Sequence, residues 1–286
     1  MMGILLKRNI KLYFRDKINL LFSLLAIFII IALYTLFLGN VWGDDALRAL
    51  PEADILRQSW LTAGILAVST VTTSMGAFAV IIDDRAKKIN KGFYASPVKR
   101  SHITSGYILS AFFVGVIMTV VTAIPLGIYI IAIGGEFLPP LAYFKIAGLI
   151  LLSSLSSTAM VCFITSFLKS YSAFSTISTI MGTLIGFLMG IYLPIGVLPE
   201  AVQTIIKLFP PSHVAMLLRQ TLMETPMQRT FEGIPEEYLI EFKEVMGVVF
   251  RFGNFEISSF ISVFGLIATA LIFYFLSLLN MRKIEK

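Results

Sequence analysis

Six long apolar segments constrain this chain more than any other feature. They run over residues 18–38, 58–82, 107–133, 146–168, 172–193 and 257–279, and none carries Asp, Glu, Lys, Arg or His in its central portion. A bilayer core about 30 Å thick is crossed by roughly 20 predominantly apolar residues in helical form. Helices satisfy their backbone hydrogen bonds internally, which lipid demands. The expectation is an all-α, polytopic membrane protein of six transmembrane helices, forming one domain over 1–286. Composition agrees: 57% of residues are hydrophobic and 14% charged, where a soluble domain carries about 25% charged residues. Pro125 lies inside the third segment, where a missing donor and a steric clash predict a kink. The first segment is too long for a secretory h-region and no small-residue cleavage site follows it, so it reads as a retained helix.

Basic residues fall unevenly around these segments. Fifteen Lys and Arg lie before residue 18, within 83–105, at Lys169 and after 279. Eight lie within 39–57, 134–145 and 194–256, together with thirteen of the seventeen acids. The formal charge of +6 thus divides into +11 on one side and −5 on the other. That is a topology signal rather than a nucleic-acid patch. It predicts a cell-membrane protein with both termini cytoplasmic. The single Cys162 permits no internal disulfide, His102 and His213 are far apart in sequence, and no Cys/His spacing suggests a metal.

Before the first segment, Leu6, Ile10, Tyr13 and Phe14 fall on one helical face, with Lys7, Lys11 and Arg15 on the adjoining one. An apolar face beside a basic one predicts an interfacial helix over 3–17, lying among anionic headgroups. The loop 83–105 is charged first (Asp83, Asp84, Arg85, Lys87, Lys88), then aromatic (Phe93, Tyr94), then closed by Pro97 and Arg100. Residues 86–95 suit a short amphipathic helix that Pro97 would end. Phe93 or Tyr94 could then fill a groove on a soluble partner while the charges fix orientation.

In these features the chain resembles the ABC-2 type family of exporter permeases. The acidic–basic cluster Asp83-Asp84-Arg85 after the second span and the turn Ala95-Ser96-Pro97 look like the family's coupling segment. Arg15-Asp16 before a long first span, and later Pro194, Leu198, Pro199, Gln203, Pro210 and Arg219, look like further family elements. The resemblance implies an elbow helix, a cytoplasmic coupling helix and short outer re-entrant helices. It also implies a separate ATP-binding-cassette ATPase subunit carrying ATP and Mg, and a second permease copy or paralogue.

The absences are consistent with this. No G-x-x-x-x-G-K-[ST] phosphate loop occurs, and no intramembrane carboxylate or histidine offers a proton path. A transporter so equipped draws its energy from another subunit. An integral-membrane enzyme would need convergent polar groups, whereas Asp83 and Asp84 are adjacent and point about 100° apart on a helix. No catalytic residue, cofactor or metal is therefore expected in this chain. A non-transporting immunity or sensor protein of the same topology fits the same spans.

Within the spans, Gly182, Gly186 and Gly190 form a small-xxx-small pattern suited to helix packing. The hydroxyls at 69–74 and 153–158 are expected to bond carbonyls one turn back. The resemblance makes the second and fifth spans walls of a substrate path, with Met75, Phe78, Phe187, Met189 and Tyr192 as adaptable apolar contacts. Residues 194–256 read as short amphipathic helices broken at Pro210-Pro211, with Pro194, Leu198, Pro199 and Pro210 as an outer gate. The expected cargo is amphipathic or lipid-like, a drug, toxin or peptide, with a lipid-linked glycan as the alternative.

Overall fold

The computed structural model describes residues 2–17, 20, 21, 32, 52–94, 100–168, 170–253 and 255–284. The predicted first span falls outside them, apart from Leu20, Leu21 and Ala32. Most of the described chain is helical. The β-structure among the described residues is one antiparallel ribbon, Arg251–Phe252 against Phe255–Glu256. Five helices are long and apolar enough to cross a membrane, and a bent pair passes the same test when taken together.

The helices in order are α1 (Met2–Arg15), α2 (Ala53–Ala86), α3 (Ile89–Tyr94), α4 (Arg100–Ala132), α5 (Pro140–Ser166) and α6 (Tyr171–Leu188). A 3-10 turn (Ile195–Val197) leads to α7 (Glu200–Leu208), α8 (Pro210–Leu222), α9 (Glu224–Thr230), α10 (Glu236–Val245) and α11 (Ser259–Ile284). The central element is α2. It is apolar on every side, the pattern of a helix surrounded by others, and it packs against α1, α4, α5, α6, α8 and α9. By contrast α4, α6 and α11 bury a third or less of their apolar stretches, leaving wide apolar faces for lipid.

Hydroxyls cross-link the centre. Thr70 Oγ1 lies 2.6 Å from Ser153 Oγ and 3.1 Å from Ser157 Oγ, and Ser74 Oγ lies 3.3 Å from Thr158 Oγ1, joining α2 to α5. Thr70 and Thr73 also bond backwards to Ala67 O and Ser69 O as expected. The back-bonding expectation therefore covers only part of the hydroxyl pattern. Interhelical bonds of this kind contribute about 0.6 kcal/mol each in membranes.

Helix α6 stops five residues before the predicted end of its span. Gly190 takes φ +62°, Ile191 N donates to Gly186 O at 2.9 Å and Gly190 N to Phe187 O at 3.0 Å. This pair of bonds is the Schellman closure, which a left-handed glycine permits. At the other break, Phe209 is held extended by the following Pro210, and α7 and α8 meet at 89°. Pro125, in contrast, sits inside α4, and the helix continues through it.

Candidate functional site

The polar groups converge where α1 crosses α2 and α4. On α1, Leu5, Asn9 and Tyr13 recur every four residues and form the buried stripe. Beside it, Arg8 donates to the Asp84 carboxylate at 2.7 and 2.8 Å. Tyr107 Oη, from α4, donates to the same carboxylate at 2.6 Å. Asp84 is 3% exposed, so its charge is tolerable only because three charge-assisted bonds replace water. The Asp84 hydrogen bond in turn holds the Arg8 guanidinium above its ordinary pKa. Arg8 also donates to Asn9 Oδ1 at 3.0 Å, and Asn9 Nδ2 to Ser110 Oγ at 3.3 Å. The guanidinium carbon stands 5.4 Å from the ring centre of Phe93, within cation–π range. One arginine thereby ties α1 to α2, α3 and α4.

The predicted loop residues divide around this junction. Asp84 faces inward and is committed to Arg8, so it presents no surface to a docked subunit. Asp83 accepts from Lys87 Nζ at 2.7 Å, and Lys87 and Lys88 are exposed. Lys88 takes φ +58° in the turn between α2 and α3, and Arg85 is half-buried. Phe93 is half-buried against α1 rather than standing free. Pro97 and the side chains of Tyr94 and Arg100 lie outside the described residues. On α1, Lys7, Lys11 and Arg15 form one exposed row, Tyr13 is buried and Phe14 half-buried. The buried stripe is rotated one residue from the predicted apolar face because Asn9, a polar residue, occupies its centre. Sequence reasoning missed Arg8, Asn9 and Tyr107; the one available signal was a lone polar residue, Asn9, four residues after Leu5 and four before Tyr13.

Beside the junction, a cavity of about 770 Å³ opens between the end of α1, α2 and α6. Val71, Thr72, Met75 and Gly76 line it from α2, and Ser178, Met181 and Gly182 from α6. Of the five predicted path residues only Met75 is among them. Phe78 and Met189 are packed in the core, and Phe187 stacks edge-on with Tyr192 at 4.9 Å, beyond the cavity. Nor do the three glycines form one packing stripe: Gly182 has open space, a side chain at Gly186 would collide with the Tyr192 ring, and Gly190 lies past the helix end.

At the opposite end, Arg219 is fully buried in α8. It donates to Met189 O at 2.8 Å and Gly190 O at 2.9 Å, the two carbonyls that follow the end of α6. A cation there also opposes the negative end of the helix dipole. Its guanidinium carbon lies 4.8 Å from the Trp60 ring centre, and Trp60 Nε1 donates to Met246 O at 2.8 Å. The predicted gate prolines frame this region: Pro194 starts the 3-10 turn, Pro199 starts α7 and Pro210 starts α8, with Leu198 half-buried between them. Nearby, Arg229 bridges Glu52 at 3.0 Å and Glu136 at 2.7 Å. Its hydrogen bond lowers the Glu136 pKa.

A bundle of apolar helices around one largely enclosed helix, with a charged junction at one end, defines a multi-pass membrane protein. The family model described as ABC-2 type transporter matches residues 2–223. The chain therefore belongs to the ABC-2 family and is the membrane-spanning permease of an ABC-type transporter. The matched stretch includes both the Arg8 junction and Arg219. A comparison with curated proteins finds no match.

Proposed function

We propose that this permease exports an amphipathic or lipid-like substrate, using ATP hydrolysed with Mg on a separate subunit. The observation that carries the reading is the Arg8–Asp84–Tyr107 junction, because it joins α3, through the Phe93 ring over Arg8, to α1, α2 and α4. In this reading the α1–α3 end is cytoplasmic. α1 is the elbow, its row of Lys7, Lys11 and Arg15 turned to the headgroups, and α3 is the coupling helix. The exposed Lys87 and Lys88 meet the ATPase, and movement of α3 passes through Phe93 to Arg8 and through Asp84 to α2. The cavity beside Met75 and Gly182 is the inner part of the substrate path. A second permease copy faces α6, whose Thr176, Thr179 and Gly182 stand exposed. The bent pair α7–α8 forms the exit.

The test is co-reconstitution with the partner ATPase in proteoliposomes. Arg8→Ala and Phe93→Ala should keep membrane insertion but uncouple hydrolysis from transport by on the order of tenfold. Transport at the parent's rate in both variants would remove the coupling role. Orientation is read separately with single cysteines: positions 52 and 236 should react with an impermeant maleimide in intact cells, and position 91 should not.

A further inference from the structure

Away from α1, a groove of about 930 Å³ lies where the first turns of α5 and α11 meet α8, α9 and α10. Its walls are apolar, with Leu149 and Leu152 from α5, Leu217 from α8 and Val263 from α11. Lys145 and Lys243 line the same groove from α5 and α10, and neither forms an ion pair among the described residues. One acid, Glu224, shares the lining, which leaves the lining net positive. The wall behind is closed: Gln220 donates to Val248 O at 2.9 Å and accepts from Ser259 at 2.8 Å.

Two features demand one ligand. A soluble anion has no use for the apolar walls, and a hydrocarbon has none for two ammonium groups. Interfacial snorkelling accounts for a lysine on a span such as Lys145, but Lys243 belongs to α10, which is not a span. From Lys145 to Leu152 the helix advances about 10 Å, the depth that separates a headgroup from the upper part of its acyl chains. Phe144 and Phe260, each 77% exposed, line the groove and present large apolar rings outward.

We infer that this groove seats a phospholipid with an anionic head, its phosphate between Lys145 and Lys243 and its acyl chain on Leu149 and Leu152. Two ammonium groups offer a phosphate charge-assisted hydrogen bonds, and the leucine walls remove acyl-chain surface from water. Only the naming of the leaflet, the outer one, rests on the orientation proposed above.

The test is native mass spectrometry of the purified chain in detergent, with phosphatidylglycerol and phosphatidylcholine added at equal concentration. The parent should prefer phosphatidylglycerol by on the order of tenfold. The double variant Lys145→Gln, Lys243→Gln should lose that preference. Gly148→Phe fills the groove from a position whose Cβ would meet nothing within 4 Å, and it should lose the bound lipid while keeping both lysines. Should one variant fail to fold, the other decides. No preference in the parent, preference retained in a folded variant, or displacement of the lipid by inorganic phosphate alone would overturn the inference. Neither ATP hydrolysis nor transport enters the measurement, so it stands or falls apart from the exporter reading.

Discussion

Arg8 and Asp84, 76 residues apart in the chain, meet through two parallel hydrogen bonds of 2.7 and 2.8 Å. The pair fixes an amphipathic helix onto the end of the most enclosed one. A planar guanidinium suits this geometry because its fork matches both carboxylate oxygens, which an ammonium does not.

Arg8→Ala should therefore destabilise the protein. Breaking a fully buried pair costs about 3–5 kcal/mol. The Arg8 side chain is 30% exposed, so water compensates part of the loss and about 2 kcal/mol is expected. Tyr107→Phe should cost about 1 kcal/mol. Thermal unfolding in detergent measures both, and the double variant should depart from additivity because the groups share one carboxylate. An Arg8→Ala protein as stable as the parent would show that α1 is held by its apolar stripe alone.

Arg219 should tolerate no replacement well. Arg219→Ala leaves the carbonyls of Met189 and Gly190 without a charged donor inside the protein, a loss of about 2 kcal/mol or more. Arg219→Lys keeps the charge but loses the guanidinium contact with the Trp60 ring, so its stability should fall between those of the parent and Arg219→Ala. With Trp42→Phe as background, the Trp60 emission should shift in both variants. Unchanged emission would mean that the guanidinium does not sit on that ring.

The three glycines should separate cleanly. Gly182→Ala should be neutral or stabilising by up to about 1 kcal/mol, since it improves helix propensity in open space. Gly190→Ala imposes a left-handed conformation on a residue with a Cβ, costing about 1 kcal/mol, and brings that Cβ to 2.8 Å from Ile195. Gly186→Ala drives the Tyr192 ring aside. Equal effects at all three positions, by thermal unfolding, would favour a continuous packing stripe instead.

The Arg229 clasp should be acid-sensitive. Glu136 has a folded pKa lowered chiefly by its hydrogen bond from Arg229. Its contribution is thus present above the ordinary carboxylate pKa and is lost as pH falls through the lower folded value. The melting-temperature difference between the parent and Glu136→Gln should be visible at pH 7 and shrink toward pH 3. A difference that is constant or grows on acidification would contradict the pairing.

Much of the architecture is legible in the sequence because lipid imposes so coarse a rule. Long apolar runs mark the presence of α2, α4, α5 and α11, though α2, α4 and α5 begin up to seven residues earlier, and Pro210-Pro211 marks the α7–α8 bend. Helix α6 shows where the rule stops. Hydrophobicity continues through Ile191 and Leu193, but the chain ends the helix at Leu188 because Gly190 adopts φ +62° and Arg219, 29 residues on, binds the freed carbonyls. The junction was half legible. The loop's charges stand out, but Asp84 and Asp83 look alike in sequence, and only the position of Arg8 makes one of them buried. A pairing across 76 residues leaves no periodic trace.

The early stop of α6 gives the protein an uneven relationship with the bilayer. At 34 residues α2 is roughly 51 Å long, and at 18 residues α6 is roughly 27 Å. Set against a hydrocarbon core of about 30 Å, α2 has length to spare, while α6 falls slightly short of it. A reversal of the backbone at that depth is admissible because protein surrounds it. Thickening the bilayer with longer acyl chains would consequently leave α2 indifferent and strain the chain where α6 turns back. Sensitivity to lipid chain length is concentrated at Gly190.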